Sequence, residues 1–103
     1  MSYDYSSNKL YPAIKNLTAI PTWTDIVLPP KGKVITVGSE NSDLYISFEG
    51  TEGGGTAGVN KLFIKGGGYM QINMGRGTNQ HNKIQIATKS SSSAEVTVIL
   101  EEQ

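Results

Sequence analysis

A short set of side chains bounds the chemistry open to this chain. His81 is the only histidine, and cysteine is absent, so the usual imidazole or thiolate metal sets cannot be assembled. His81 stands among Asn79, Gln80 and Asn82. As a general base it would need a carboxylate and a nucleophile brought to it in space; its polar neighbours read as an exposed loop. The carboxylates Asp25, Asp43, Glu49, Glu52, Glu95, Glu101 and Glu102 are scattered, and no spacing pairs two of them for acid–base work. Asp43 reads as a turn residue, with Glu49 and Glu95 on solvent faces. Residues 39–43, SENSD, imitate only weakly the closely spaced oxygen ligands of a calcium loop.

Two glycine clusters, at 53–55 and 66–68, invite a phosphate-binding reading. A phosphate loop needs Lys and Ser or Thr directly after its glycines and a helix N-terminus to hold the anion. Here Gly68 runs into Tyr69 and a strand pattern, so the glycines serve turns. Asn16-Leu17-Thr18 matches the glycosylation acceptor pattern, which carries weight only behind a secretory signal. Trp23 is either a sugar-stacking platform or, as a lone Trp near a strand start more commonly is, a source of buried area. No catalytic, cofactor-binding or metal-ligating residue emerges. The candidate interaction residues are aromatic: Tyr3, Tyr5, Tyr11, Trp23, Tyr45 and Tyr69.

These residues must be positioned by strands. In residues 43–49, Leu44, Ile46 and Phe48 alternate with Tyr45, Ser47 and Glu49, giving one apolar and one wetter face. A strand over 22–28 stops at Pro29 and Pro30, which cannot donate to a ladder. Residues 33–37 are almost continuously apolar and read as buried on both faces. Further strands are predicted at 61–65, at 69–74 through Met70, Ile72 and Met74, at 83–89 through Ile84 and Ile86, and at 94–101 through Val96, Val98 and Leu100. A loop at 50–58 is the expected variable surface. No segment carries a helical stripe and there is no fixed-period repeat. The pattern predicts an all-β fold, an antiparallel β-sandwich or jelly-roll-like barrel of about seven to eight strands.

Residues 1–21 differ from the rest. Tyr3, Tyr5 and Tyr11 lie among Ser6, Ser7, Asn8 and Pro12 with no sustained period, and Pro12 interrupts any helical turn over 9–17. They are read as an N-terminal arm attached to a sandwich domain over 22–103. Such an arm either frays or orders on a partner, with its tyrosines as anchors.

A chain of 103 residues suits one domain. It buries only about two-thirds of its unfolded surface, so self-association or docking would add stability. Nine basic residues balance nine acidic ones. They are dispersed along the sequence, which offers no basic face for nucleic acid and no charge run for a membrane. No apolar stretch approaches the ~20 residues that span a bilayer. The opening residues lack a basic start and an apolar segment, so folding in a cytoplasm is expected.

The order of features is more specific than its parts. Residues 23–29 (WTDIVLP), 32–38 (GKVITVG), 43–50 (DLYISFEG), 65–72 (KGGGYMQI) and 94–101 (AEVTVILE) follow one another. This succession resembles the small β-sandwich virion proteins of tailed bacteriophages, of the head-decoration and particle-accessory type, over residues 22–101. The resemblance implies a non-enzymatic structural role: a decoration or cement protein that stabilises a phage head by protein–protein contacts. Its implied partner is the major capsid protein or another virion protein, and its implied state a homo-oligomer, with a trimer favoured. No cofactor is expected, the dispersed charges and short apolar runs argue against nucleic acid and membrane, and the resemblance implies a place in the virion after synthesis in the host cytoplasm. No site residue transfers, because the class shares none. The alternative is a carbohydrate- or host-receptor-binding sandwich of a phage tail or fibre, with Trp23 and the tyrosines stacking on sugar. A small cupin-like enzyme is the weakest reading, since one histidine cannot supply the usual metal cage.

Overall fold

The computed structural model describes residues 2–30, 33–48, 60–75 and 82–102. The expected loop at 50–58, together with Glu49 and His81, lies outside the described residues. The fold is all-β, with two sheets and, among the described residues, nine strands. These are β1 (Ser2–Asp4), β2 (Ala13–Ala19), β3 (Thr24–Val27), β4 (Lys33–Ser39), β5 (Leu44–Ser47), β6 (Leu62–Ile64), β7 (Tyr69–Asn73), β8 (Lys83–Thr88) and β9 (Ala94–Glu102).

One sheet, here sheet A, has the order β1-β3-β8-β5-β6; sheet B has the order β2-β9-β4-β7. The chain therefore passes from one sheet to the other at every connection except β5 to β6. That alternation winds two strands of a β-helix into a jelly-roll sandwich and leaves each sheet with an inner and an outer face. All pairings are antiparallel apart from β1 with β3, which is parallel, with Tyr3 opposite Ile26.

The inner faces are apolar, as the alternation predicts. Leu44, Ile46, Ile84, Ile86 and Ile26 from sheet A meet Ile35, Val37, Val98 and Leu100 from sheet B, all at zero exposure. Each such side chain contributes about 1.5–3 kcal/mol by leaving water, which for a small domain is the main force holding the sheets together. Phe48, Met70 and Ile72 pack against this core from its margin. At the turn after β6, Gly67 takes a φ of 84°, a left-handed conformation that glycine adopts without steric cost. The 66–68 glycines thus serve a turn leading into β7.

The structure differs from the sequence-based expectation at two places. Residues 2–4 and 13–19 are strands of the two sheets rather than an arm outside the sandwich. Along β2 the inward positions are Ala13, Lys15, Leu17 and Ala19, an alternation of small residues and a lysine that lacks the β-branched signal. The pairing partner supplies what the local sequence does not: β2 lies in register with β9 from Ala13–Leu100 to Ala19–Ala94. The second difference is β4, which is not buried on both faces. Val34 and Thr36 are half-buried on the outer face of sheet B, and Lys33 shares the inner face with Ile35 and Val37.

Candidate functional site

The outer face of sheet A gathers side chains that are far apart in sequence. Register sets Ala87 of β8 beside Tyr45 of β5, and Tyr45 beside Phe63 of β6. The Tyr45 and Phe63 rings lie 6.0 Å apart at 58°, a tilted pair of the kind that adds about 0.5–1.5 kcal/mol beyond area burial. Two ammonium groups cover the pair. Lys61 Nζ stands 5.1 Å from the Tyr45 ring centre, and Lys89 Nζ stands 5.1 Å from that of Phe63, within cation–π range. Phe63 remains 45% exposed on the terminal strand, and Leu62 beside it is also exposed.

In the neighbouring row, buried Gln85 donates from Nε2 to Asp25 Oδ1 at 3.3 Å, and Lys83 Nζ approaches Asp25 Oδ2 at 3.8 Å. Folding therefore places Lys61, Lys83 and Lys89 on one face, where Lys83 is paired with Asp25 and where register also brings Asp4 of β1. This basic, aromatic face is absent from the linear charge pattern. An open cleft of about 420 Å³, lined by Asn41, Ser42, Asp43, Lys89 and Ser90, adjoins it at Lys89.

Tyr69 lies on the opposite side of the molecule. It is on β7 of sheet B, paired with Gly38 of β4, so Tyr45 and Tyr69 cannot contribute to one patch of a single partner surface. Tyr69 is 61% exposed. Its ring rests over Gly38 so closely that a Cβ at 38 would collide with ring carbons Cγ, Cδ2 and Cε2. Along the next strands, Thr97 Oγ1 donates to Asn16 Oδ1 at 3.0 Å. Tyr69, Asn16 and Thr97 line an open cleft of about 460 Å³ with Glu40, Glu95 and Val96.

The remaining aromatic candidates are half-buried. Tyr3, Tyr5 and Tyr11 are half-buried against the core margin. Tyr3 Oη donates to Thr18 O and accepts from Thr18 N, both at 3.2 Å. It stacks on Tyr5 with ring centres 6.4 Å apart, and Lys15 Nζ stands 5.3 Å over the Tyr5 ring. Burial and the neighbouring Tyr3 raise the Tyr5 pKa above 10.0. Trp23 is half-buried, and its indole nitrogen is buried with no hydrogen-bond partner among the described residues.

Asp43 behaves as a turn residue: its Oδ1 accepts from Gly66 N at 2.8 Å and its carbonyl from Lys89 N at 3.1 Å. Among the described residues no group of three or more His, Cys, Asp or Glu is placed to hold a metal. Among the described residues the one charged side chain fully inside is Lys33, whose Nζ donates to Asn82 Oδ1 at 3.1 Å and whose pKa burial lowers. Sequence reasoning named neither Phe63 nor Gly38. The available signal for Gly38 was its position inside a strand, which marks close approach of another group. Phe63 gave none, because its pairing with Tyr45 is set by a long-range register.

No known family's profile matches the sequence, and no curated protein matches it. Solved structures do. A de novo designed double-stranded β-helix aligns with a TM-score of 0.58 at 16% identity, over 86% of this chain and 99% of that one. A Cupin_2 domain of an XRE-family transcriptional regulator from Enterobacter cloacae gives 0.56 at 8% identity, over 87% and 82%. PliG from Aeromonas hydrophila, a periplasmic inhibitor of g-type lysozyme, gives 0.55 at 11% identity, over 99% and 96%. These similarities define the class of fold, a double-stranded β-helix of jelly-roll-like architecture. At such identities they carry architecture alone.

Proposed function

We propose that the chain is a non-enzymatic virion structural protein of the head-decoration type, attached to its particle through the outer face of sheet A. The observation that carries the proposal is the Tyr45–Phe63 pair under the Lys61 and Lys89 ammoniums. Aromatic side chains such as these are enriched at protein interfaces. The Lys61 and Lys89 ammoniums beside the rings favour an acidic protein surface, on the major capsid protein or another virion protein. The resemblance of residues 22–101 to small phage sandwiches supports the same role. Self-association as a trimer fits the edge at β6, a three-residue strand whose first residue, Leu62, is exposed. Such an edge is covered when a neighbouring copy lies against it.

The test is incorporation into particles of the phage that encodes the chain, quantified by mass spectrometry of purified virions. Wild type is expected at a fixed stoichiometry to the capsid protein, and Phe63→Ser is expected to lower occupancy at limiting concentration by about tenfold. A chain that stays monomeric and is absent from purified particles would overturn the reading.

A further inference from the structure

The cleft around Tyr69 lies on the face of the sandwich opposite Tyr45 and Phe63, so a particle docked on sheet A would leave it open to solvent. We propose that this cleft is a binding subsite for a neutral pyranose saccharide, with Tyr69 as its stacking platform.

The argument begins at Gly38. The missing Cβ lets the Tyr69 ring lie down on β4, with one face against the backbone and the residue still 61% exposed. A ring over a glycine can serve the sheet itself, by shielding a backbone that no side chain covers. That role does not account for what surrounds the open side of the ring. Asn16 and Thr97 are coupled by a 3.0 Å hydrogen bond. Asn16 Oδ1 is the acceptor in that bond, so the two amide hydrogens of its Nδ2 are the donors left for a ligand. Glu40 and Glu95, tied by a 3.2 Å backbone bond from Glu40 N to Glu95 O, bring carboxylates to the same cleft.

A flat apolar surface beside an amide, a hydroxyl and carboxylates matches a sugar ring, which presents C–H groups on its face and hydroxyls around its rim. Donors and acceptors of both kinds can satisfy those hydroxyls, and the ring face gains contact area at little entropic cost. The charge narrows the class. The described residues lining the cleft include two carboxylates and no cation, so sialylated, uronic or sulfated glycans are repelled and neutral ones accepted. A cationic peptide would favour the carboxylates, but a cation cage encloses its ligand with several rings, and here one ring lies open. Contact through one ring and a few polar groups gives affinity on the order of millimolar for a single sugar unit.

The experiment is an array of neutral and acidic glycans, followed by two-dimensional amide NMR titration of the full chain with the retained oligosaccharide. An arginine tetrapeptide is titrated in parallel. A neutral glycan should be retained and should shift the amides of Asn16, Gly38, Tyr69 and Thr97. Tyr69→Ala and Gly38→Ala should each weaken binding about tenfold or more, while Tyr69→Phe keeps the stacking and binds within a few-fold of wild type. Gly38 does not have a positive φ, so alanine there displaces the exposed ring rather than straining the backbone, and unchanged thermal unfolding checks that both variants are folded. The inference is overturned if no neutral glycan is retained, if acidic glycans or the arginine peptide bind in its place, or if folded Tyr69→Ala and Gly38→Ala bind as wild type does. Virion incorporation through sheet A is unaffected by any of these outcomes.

Discussion

Tyr3 joins the two sheets at their open edge, and removing its hydroxyl tests whether the N-terminal residues belong to the fold. β1 is an edge of sheet A and β2 an edge of sheet B. The Tyr3 hydroxyl reaches across, accepting from Thr18 N and donating to Thr18 O at 3.2 Å each. One oxygen thus occupies the place a neighbouring strand would fill and covers an otherwise unpaired stretch of β2. Tyr3→Phe deletes both bonds while keeping the ring packed and stacked on Tyr5 at 6.4 Å. A net hydrogen bond contributes about 0.5–1.5 kcal/mol, so two give about 1–3 kcal/mol. Thr18 is half-buried and water can replace part of the loss, which places the expectation at about 1–2 kcal/mol. For a domain of this size that lowers the melting temperature by several degrees, at about 4–8 °C per kcal/mol. Urea unfolding of wild type and Tyr3→Phe measures the difference, and amide exchange at Thr18 locates it. A loss below about 0.5 kcal/mol, as for an ordinary surface substitution, with unchanged exchange at Thr18, would refute the reasoning and return residues 2–4 to the status of a frayed terminus.

Other expectations follow from the same geometry. Lys33 has its pKa depressed below its ordinary 10.5 by burial, so the native state binds fewer protons than the unfolded one between the two values. Its contribution to stability is therefore most favourable above 10.5, and declines as pH falls through the lowered folded pKa. The stability difference between wild type and Lys33→Met should shift toward wild type as pH rises through that window; a pH-independent difference in urea unfolding would contradict the assignment. Tyr5, with a raised pKa, acts in the opposite sense at higher pH, its contribution being lost as pH rises through its folded value; comparison with Lys33→Met cancels it. Asp43→Ala removes the 2.8 Å acceptor of Gly66 N and should cost about 1–2 kcal/mol in the same assay, whereas a neutral result would mean that the turn before β7 holds without it.

Much of the fold was legible because its strands announce themselves locally. Leu44 with Ile46, Ile84 with Ile86, and Val96 with Val98 and Leu100 alternate strictly, and the structure buries each of them. β2 was not legible, because Lys15 and three small or modest apolar residues form its inward face, and only the ladder to β9 makes it a strand. Lys33 could have been read as inward-facing, since it is in phase with Ile35 and Val37; its charge argued for solvent, and burial won. The outward orientation of Tyr45 and Tyr69 followed from alternation, but their placement on opposite faces depends on which sheet each strand joins, a long-range choice. The lysines of sheet A illustrate the same limit. Lys61, Lys83 and Lys89 look dispersed in sequence, and cross-strand pairing brings them to one face.

Site-specific photo-crosslinking on assembled particles tests the attachment face most directly. A benzophenone amino acid at position 63 reports on the outer face of sheet A, and the same group at position 69 reports on sheet B. The account predicts that the Phe63 position crosslinks in high yield to a virion protein or a second copy of the chain, and that the Tyr69 position gives no protein adduct. Crosslinking from position 69 with none from position 63 would contradict it, and would move the attachment to the opposite side of the sandwich.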